Sequence, residues 1–328
     1  MNIDRDKETY TEADVVEVRE RLVAHKTFES LSWPELARRV GEVGASTLSA
    51  FATGTYAGDN QKMAWRVNRY FLAEEDRHQS ALTAPVVPDF KMTRTARQIT
   101  AQLKWAHGGE MVAVVGAPGM SKTSTFRHYQ RTVPNAFLAT MTEAHRAPAA
   151  MLRQVLRATG SPGKAAQAAT LFDAICDKLT GIRCLIIVDE AQHLTGPALE
   201  QLRSLHDALG CGICLAGNEA VLTRVQGGAR LSEFAQLSSR VSWPQTYRQP
   251  HDEDVQILCE AWQVSDARQQ EFLKRVAAQP GHLRLMTQVL KMATLQARAG
   301  HEDRTLSHLR DALVQLQQRP GLSLGEAA

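Results

Sequence analysis

The strongest chemical signal in the chain is a run of small residues that ends in a lysine and a threonine. The run is Gly116-Ala-Pro-Gly-Met-Ser-Lys122-Thr123, and it lies between an apolar stretch and a helical pattern. A loop of this kind points successive backbone N–H groups, and the positive end of the helix, toward a bound anion. We therefore predict that a phosphate loop binds a nucleotide through Gly116, Ala117, Pro118, Gly119, Met120, Ser121, Lys122, Thr123 and Ser124.

Two side chains of the phosphate loop have separate predicted tasks. Lys122 is expected to reach the β and γ phosphates of ATP, and the Thr123 hydroxyl is expected to ligate Mg²⁺. Ser121 departs from the usual pattern, in which glycine stands at this position. We expect Ser121 to adopt an ordinary backbone conformation and to offer its hydroxyl, because a positive φ would cost a serine about 1–3 kcal/mol. Its effect on the rate of hydrolysis is open at this stage.

An acidic pair follows a second apolar run. Cys184–Val188 predicts a buried strand that delivers Asp189 and Glu190 at its end. Asp189 is expected to hold Mg²⁺ through water, and Glu190 to orient or deprotonate the water that attacks the γ-phosphate. Such a pair is weak evidence alone, but together with the phosphate loop it predicts an ATPase.

Three further polar residues occupy positions from which they could contact the nucleotide. Asn218 follows the predicted strand Ile213–Ala216, where it could sense the γ-phosphate; the alternative is a turn-forming asparagine. Arg240 is a candidate to reach the ATP of a neighbouring protomer, and the alternative is a surface arginine. Arg284 begins a C-terminal helix, from which it could approach the γ-phosphate.

Composition excludes several classes of protein. With 328 residues, 44% hydrophobic and 22% charged, the chain has the size and composition of a globular protein of two or three domains. No apolar run approaches the roughly 18 residues of a membrane span, and the polar, acidic start is not a secretory signal, so we expect a cytosolic protein. Cys211 and Cys214 lie in an apolar run without a second pair, which favours core residues over a metal site.

The first part of the chain predicts a small helical domain, residues 1–75. Ser32 and Glu35 form a capping box before one short helix, residues 41–44 break it, and a second short helix spans Ser46–Thr53. Two short helices around such a turn predict a helix-turn-helix. Residues 76–98 contain a proline-punctuated stretch and are predicted to be a linker.

The rest of the chain predicts an α/β domain followed by helices. Between residues 99 and 250, short apolar runs alternate with amphipathic patterns, which favours a parallel sheet covered by helices. From 251 to 328 only helical patterns remain, around 252–262, 266–278, 282–299 and 304–318. We interpret this last part as a helical lid over the α/β core.

The order of these motifs resembles that of an AAA+ ATPase, and more closely that of the DNA-transposition ATPases typified by the bacteriophage Mu B protein. The resemblance rests on the phosphate loop, the string Asp189-Glu190-Ala-Gln-His193, the segment Gly281-His-Leu-Arg284 and the predicted helix-turn-helix. It implies an AAA+ fold, ATP and Mg²⁺ as cofactors, and Arg240 and Arg284 as readers of the nucleotide. It further implies non-sequence-specific binding to double-stranded DNA, homo-oligomers in a helical filament or ring, and a partner transposase.

Candidate DNA contacts lie in both halves of the chain. In the second short helix of the first domain, Ser46, Thr47 and Ser49 are expected to face outward, although residues 1–75 carry 10 basic and 13 acidic side chains. Residues 122–164 hold seven basic side chains against one acidic, a balance that suits a polyanion. The candidates in the ATPase domain are Arg146, Arg153, Lys164, Arg224 and Arg230.

Each DNA hypothesis has an alternative. The first domain could be an adaptor that contacts protein, and the basic residues of the ATPase domain could be a solvated surface. At the level of the whole chain, the alternatives are a helper AAA+ ATPase, such as a helicase loader, or a helix-turn-helix transcription regulator that senses nucleotide.

Overall fold

The computed structural model describes residues 9–83, 85–165, 167–226 and 231–318. The chain divides into two compact units between residues 84 and 85. In the described ranges no helix is both long and apolar enough to cross a membrane.

The first unit is helical, as predicted. It contains α1 (Glu12–Phe28), α2 (Trp33–Val40), α3 (Ala45–Ala52) and α4 (Asn60–Thr83). The capping box at Ser32 and Glu35 is present, and Gly41 ends α2 with a positive φ of 75°. Leu48 and Phe51 of α3 are completely buried against the other helices. The predicted helices are therefore confirmed, while the helix-turn-helix assignment stays a prediction.

The start of the irregular segment differs from the prediction. Helix α4 continues to Thr83, so residues 76–83 of the predicted linker are helical. The reason is local, because no proline or glycine interrupts residues 60–84, and Pro85 is the first residue that disfavours helix in the residue before it. Helix α5 (Arg94–His107) then begins before the predicted start of the core at residue 99. The irregular segment is thus residues 85–93.

A parallel five-stranded sheet forms the centre of the second unit. Its strands are β1 (Met111–Gly116), β2 (Ala136–Thr140), β3 (Leu185–Asp189), β4 (Gly212–Gly217) and β5 (Val241–Tyr247), in the order β2-β3-β4-β1-β5. All neighbouring strands are parallel. Their carboxyl ends therefore meet at one edge of the sheet, the arrangement that places ligand sites in open α/β sheets.

Helices cover both faces of this sheet. They are α5, α6 (Lys122–Thr132), α7 (Pro148–Ala158), α8 (Ala168–Leu179), α9 (Gly196–Leu209), α10 (Glu219–Gln226) and α11 (Leu231–Arg240). Side chains of β1 alternate between two cores: Met111 and Val115 pack with α7, α8 and α9, whereas Val112 and Val114 pack with α5 and α6. Because each face is covered, β1 is apolar along its whole length.

Strand β5 was not predicted from the sequence. It lies at the edge of the sheet, and Ser242, Trp243 and Pro244 are exposed. Edge strands tolerate proline and polar residues because one side of their backbone pairs with no other strand. Strand β5 consequently lacks the apolar run that identifies the other four strands.

The C-terminal helices form a bundle with a core of their own. They are α12 (Asp252–Ala261), α13 (Ala267–Ala278), α14 (His282–Ala299) and α15 (Leu306–Gln317). Buried Asp254 of α12 accepts hydrogen bonds from the Thr95 amide (2.9 Å) and the Thr95 hydroxyl (2.5 Å) of α5. A buried carboxylate requires such donors, and these bonds fix the bundle to the helix that precedes β1.

Cys211 and Cys214 are core residues, as predicted. All five are free, and Cys211 and Cys214 are buried within or beside β4. Burial raises the pKa of the Cys214 thiol above its ordinary value, so this thiol is inert at neutral pH. The described ranges contain no cluster of three or more histidine, cysteine or acidic residues that could hold a metal ion.

Candidate functional site

The phosphate loop connects β1 to α6 in the predicted way. Strand β1 ends at Gly116, and α6 begins at Lys122. Between them Gly119 has a φ of 91°, a conformation that glycine adopts without strain. The first N–H groups of an α-helix have no partner within the helix, so the first turn of α6 is a candidate anion site beside the loop.

Ser121 does not have the ordinary conformation expected of it. Its φ is 59° and its ψ is 14°, in the left-handed region, and its side chain makes no capping hydrogen bond to α6. The Ser121 carbonyl accepts hydrogen bonds from the amide and the hydroxyl of Thr125. The turn into α6 thus demands the glycine-like conformation, and the serine bears the strain.

We predict that Ser121→Gly stabilises the protein by up to about 1 kcal/mol, because glycine adopts the left-handed conformation without a Cβ penalty. The matched control is Ser124→Gly, the same change at an exposed helical position of α6. This control should instead destabilise by about 0.5 kcal/mol. Urea unfolding of both variants measures the difference, and equal signs for the two changes would contradict the strain at Ser121.

The Lys122 ammonium is held inside the loop. Its Nζ donates to the carbonyls of Gly116 (2.6 Å) and Ala117 (3.0 Å). Burial lowers the pKa of Lys122, while the nearby carboxylates of Asp189 and Glu190 act in the opposite direction. A polyphosphate at this position would favour the charged ammonium as well. The lysine is therefore placed as the main cation of the loop.

Asp189 and Thr123 meet at the carboxyl ends of β3 and β1. The Thr123 hydroxyl donates to Asp189 Oδ2 at 2.6 Å, and the Glu190 amide donates to Asp189 Oδ1 at 3.0 Å. Asp189 is only 2% exposed, and burial raises its pKa despite the hydrogen bond from Thr123. Two oxygen ligands that the sequence separates by 66 residues are thus in contact.

Glu190 and Asn218 are connected by a residue to which sequence reasoning assigned no role. Gln192 Nε2 donates to Glu190 Oε2, and Gln192 Oε1 accepts from the Asn218 amide at 3.4 Å. Asn218 Oδ1 accepts from the Ala220 amide at 3.0 Å, so this exposed side chain caps α10 and also lines the pocket. The two interpretations of Asn218, sensor and turn former, are therefore compatible.

The first turn of α14 closes against the phosphate loop. A Cβ atom on Gly119 would lie 1.9 Å from the Gly281 carbonyl oxygen and 3.3 Å from Arg284 Cβ. The loop and the turn before α14 are therefore in direct contact, which requires glycine at position 119. Arg284 lines the pocket, and its charge acts to lower the pKa of Lys122. The predicted position of Arg284 beside the phosphate site is thus observed.

A cavity of about 860 Å³ lies between the phosphate loop and the C-terminal bundle. Its lining includes the polar or charged residues Lys122, Thr123, Glu190, Asn218 and Arg284. It also includes the apolar residues Val87, Pro88, Leu258, Trp262 and Leu283. The size and the mixed lining suit a nucleotide, which has charged phosphates and an aromatic base.

Part of this cavity comes from the segment that sequence reasoning assigned to the linker. Phe90 stacks on His128 of α6, with ring centroids 4.3 Å apart and planes inclined by 21°. This contact holds residues 87–91 against the helix that follows the phosphate loop. Its only signal in the sequence was a proline-punctuated apolar stretch, which does not indicate what the stretch packs against.

Comparisons with known proteins agree with this geometry. Residues 106–225 match the AAA domain family, and residues 239–316 match the C-terminal domain of the Mu B transposition protein. The ATP-dependent target DNA activator B of Escherichia phage Mu is 30% identical over 88% of this chain and 91% of its own length. The protein of the same name from Escherichia phage D108 has the same identity and coverage.

The chain belongs to the Mu B transposition protein family. As a member of that family with an AAA domain, it is a nucleotide-binding AAA+ ATPase. A solved structure of the Aeropyrum pernix ORC2 protein, with ADPNP and ADP, covers 70% of each chain with a TM-score of 0.54. At 18% identity this likeness supports the fold alone, and the predicted AAA+ α/β architecture is confirmed.

The residues of this Mu B family member fit a magnesium ion at Thr123 and Asp189. Both present oxygen, the ligand type that Mg²⁺ prefers, and their oxygens are within 2.6 Å of each other. A site of one carboxylate and one hydroxyl suits an ion that takes its other ligands from phosphates and water. Mg²⁺, when bound, would neutralise charge on the β and γ phosphates.

Arg240 lies outside the cavity of its own protomer. It immediately precedes Val241, which pairs with Met111 at the amino end of β1, whereas the phosphate loop follows the carboxyl end. The six residues of β1 span about 20 Å at roughly 3.3 Å per residue. Arg240 Nε instead forms an ion pair with Asp207 Oδ1 at 3.0 Å. A contact with the ATP of a neighbouring protomer stays a prediction.

The candidate DNA contacts are scattered over the two units. Arg146 and Lys164 are exposed, whereas the Arg153 guanidinium donates to the Ala165 carbonyl at 3.1 Å and is engaged within the fold. Ser46 is exposed on α3, and Thr47 and Ser49 are half-buried. Arg230 and the side chain of Arg224 lie outside the described residues. A contact of these residues with DNA stays a prediction.

Proposed function

We propose that this protein is an ATP-dependent, non-sequence-specific DNA-binding ATPase that assembles into filaments on target DNA and recruits or activates a transposase. One observation carries the proposal: an AAA+ nucleotide site is built in a chain that resembles the phage target DNA activators over 88% of its length. Those relatives are named for ATP-dependent activation of target DNA, and we extend that activity to this chain.

The nucleotide roles follow from the side chains around the cavity. Lys122 and the amides of the phosphate loop bind the β and γ phosphates, and the apolar lining residues, Trp262 among them, receive the base. Thr123 and Asp189 hold Mg²⁺. Glu190 accepts a proton from the attacking water, while Asn218 and Arg284 contact the γ-phosphate.

Oligomerisation would complete the site. Arg240 is too far from its own phosphate loop, so a neighbouring protomer supplies its arginine to each ATP. ATP then stabilises the assembly by mass action, since it binds the assembled state more tightly than the free protomer. Hydrolysis removes the γ-phosphate that this arginine reads, and the protomer leaves the DNA.

The DNA contact is assigned to the basic surface of the ATPase domain. Arg146 and Lys164 are exposed, and residues 122–164 hold seven basic side chains against one acidic. Contacts to backbone phosphates carry no sequence information, and their strength falls steeply with salt. Ser46, Thr47 and Ser49 of α3 supply a second, smaller set of contacts.

Electron microscopy with random-sequence duplex DNA tests this function. We expect filaments with ATP, none without nucleotide, and steep loss of binding as the salt concentration rises. A second candidate, a helix-turn-helix regulator, is favoured by the short helices α2 and α3 around a four-residue turn. It predicts instead that binding selects a palindromic sequence, needs no nucleotide and forms no filaments; that outcome would replace the proposed function.

A further inference from the structure

We infer that Gln192 is a positioning residue for hydrolysis, which clamps the Glu190 carboxylate to the end of β4. This inference rests on the proposed role of Glu190 as the group that receives the proton from water. It is carried by a chain of hydrogen bonds from Glu190 through the Gln192 carboxamide to the Asn218 amide.

Both the nitrogen and the oxygen of the Gln192 carboxamide form hydrogen bonds. Its N–H group donates to Glu190 Oε2, and its oxygen accepts from the Asn218 backbone at 3.4 Å. The carboxylate of a glutamate can rotate about its side-chain bonds unless a hydrogen-bond donor holds it in one orientation. The bond to Oε2 therefore sets the orientation of the carboxylate and leaves Oε1 available to a water molecule.

The backbone around Gln192 also restricts its position. Glu190 has a positive φ of 58°, which turns the chain sharply after β3 and brings Gln192 back toward β4. Gly217, at the end of β4, lies directly beneath the carboxamide. A Cβ atom at Gly217 would lie 2.2 Å from Gln192 Oε1 and 2.7 Å from Val221 Cγ2. The carboxamide thus occupies space that only glycine leaves free.

These contacts give Gln192 a link to Asn218 as well. The Asn218 amide binds the Gln192 oxygen, and the Asn218 side chain caps α10 through the Ala220 amide. Both residues proposed to handle water and the γ-phosphate are consequently tied to one carboxamide. A glutamine supplies a donor and an acceptor at opposite corners of one planar group, which a carboxylate or an aliphatic side chain cannot do.

The first test is Gln192→Met, which keeps the length of the side chain and removes both hydrogen bonds. We expect kcat for ATP hydrolysis to fall about 10- to 100-fold, because a misoriented base loses its alignment with water. KM and the affinity for a fluorescent ATP analogue should change by less than about threefold, because Gln192 lines the cavity but directs its carboxamide to Glu190 and to the Asn218 amide. Gln154→Met on α7 is the control, because its amide donates to the Thr140 carbonyl and not to Glu190.

The second test reads the pH profile of Gln192→Glu. Two carboxylates would then face each other, which raises the pKa of the pair until one proton is shared. A shared proton restores a donor toward Glu190. We therefore expect the kcat of this variant, relative to the unmodified protein, to rise as the pH falls from about 8.5 to about 6. A role in folding alone would not produce this recovery.

Gly217→Ala provides a third measurement that keeps residue 192 intact. Its Cβ must displace the carboxamide and also meets Val221 Cγ2, so kcat should fall as in Gln192→Met. Adding Gly217→Ala to a variant that carries both Gln192→Ala and Val221→Ala, which removes both obstacles, should lower kcat little further. Additive losses of kcat in that combination would overturn the inference.

Glu190→Gln separates this inference from the proposed function. If Glu190→Gln abolishes hydrolysis and folded Gln192→Met hydrolyses ATP at the normal rate, only the role of Gln192 is wrong. If Glu190→Gln hydrolyses normally, the proposed role of Glu190 fails, and the inference about Gln192 fails with it.

Discussion

Replacing Lys122 by alanine is expected to lower the affinity for ATP at least about 100-fold, which corresponds to about 2.7 kcal/mol. The ammonium is the main cation in the loop, and its hydrogen bonds go to the carbonyls of Gly116 and Ala117. When ATP binds, a charged phosphate oxygen takes the place of these neutral carbonyl oxygens as the acceptor. A hydrogen bond from the ammonium to a charged acceptor is the stronger one. Titration of a fluorescent ATP analogue measures the loss.

The same variant should form no ATP-dependent filaments on DNA of any sequence. The matched control is Lys104→Ala, which removes an exposed lysine of α5, and it should bind ATP like the unmodified protein. Nucleotide affinity that is unchanged in Lys122→Ala would show that the phosphates bind elsewhere. Normal affinity together with lost filaments would reject the phosphate role of Lys122, and it would place this lysine at a protomer or DNA interface instead.

Glu190→Gln should separate ATP binding from ATP hydrolysis. We expect kcat to fall by about 10²- to 10⁴-fold, because an amide cannot accept the proton from water. ATP affinity should be retained, since Glu190 lies beyond Asp189 and Thr123, which are the proposed Mg²⁺ ligands. Complexes with DNA should then persist, because ATP remains bound at each protomer contact.

Phosphate release and the lifetime of DNA complexes after dilution measure these two effects. Glu110→Gln is the control, because Glu110 precedes β1 at the opposite edge of the sheet from the site. This control should hydrolyse ATP at the normal rate. Rapid loss of DNA complexes in Glu190→Gln, despite blocked hydrolysis, would mean that hydrolysis does not release the protomer.

Local patterns were sufficient for four of the five described strands, most helices and the core of the nucleotide site. Strands β1 to β4 are largely apolar because both faces of the sheet are covered, and this pattern identifies them. Lys122 and Thr123 were predictable since the loop, the strand before it and the helix after it are contiguous in the chain. Asp189 and Glu190 were predictable because the carboxyl ends of parallel strands meet at one edge.

Strand β5, the end of α4 and the conformation of Ser121 were missed for different physical reasons. Strand β5 is an exposed edge strand, so burial leaves no apolar run in it. Helix α4 continues because it meets no breaking residue before Pro85. The geometry of the turn into α6 determines the left-handed φ of Ser121, against the preference of the residue itself.

The sequence by itself determined that the chain has a phosphate loop, an acidic pair on a neighbouring strand and a helical C-terminal part. Only the tertiary structure decided that Gln192 binds Glu190, that Gly119 contacts the turn before Arg284, and that residues 87–91 line the cavity. The reason is that a motif reports contacts within a few residues of itself. Contacts between side chains from separate elements depend on how the sheet and its covering helices pack, and no spacing along the chain encodes that packing.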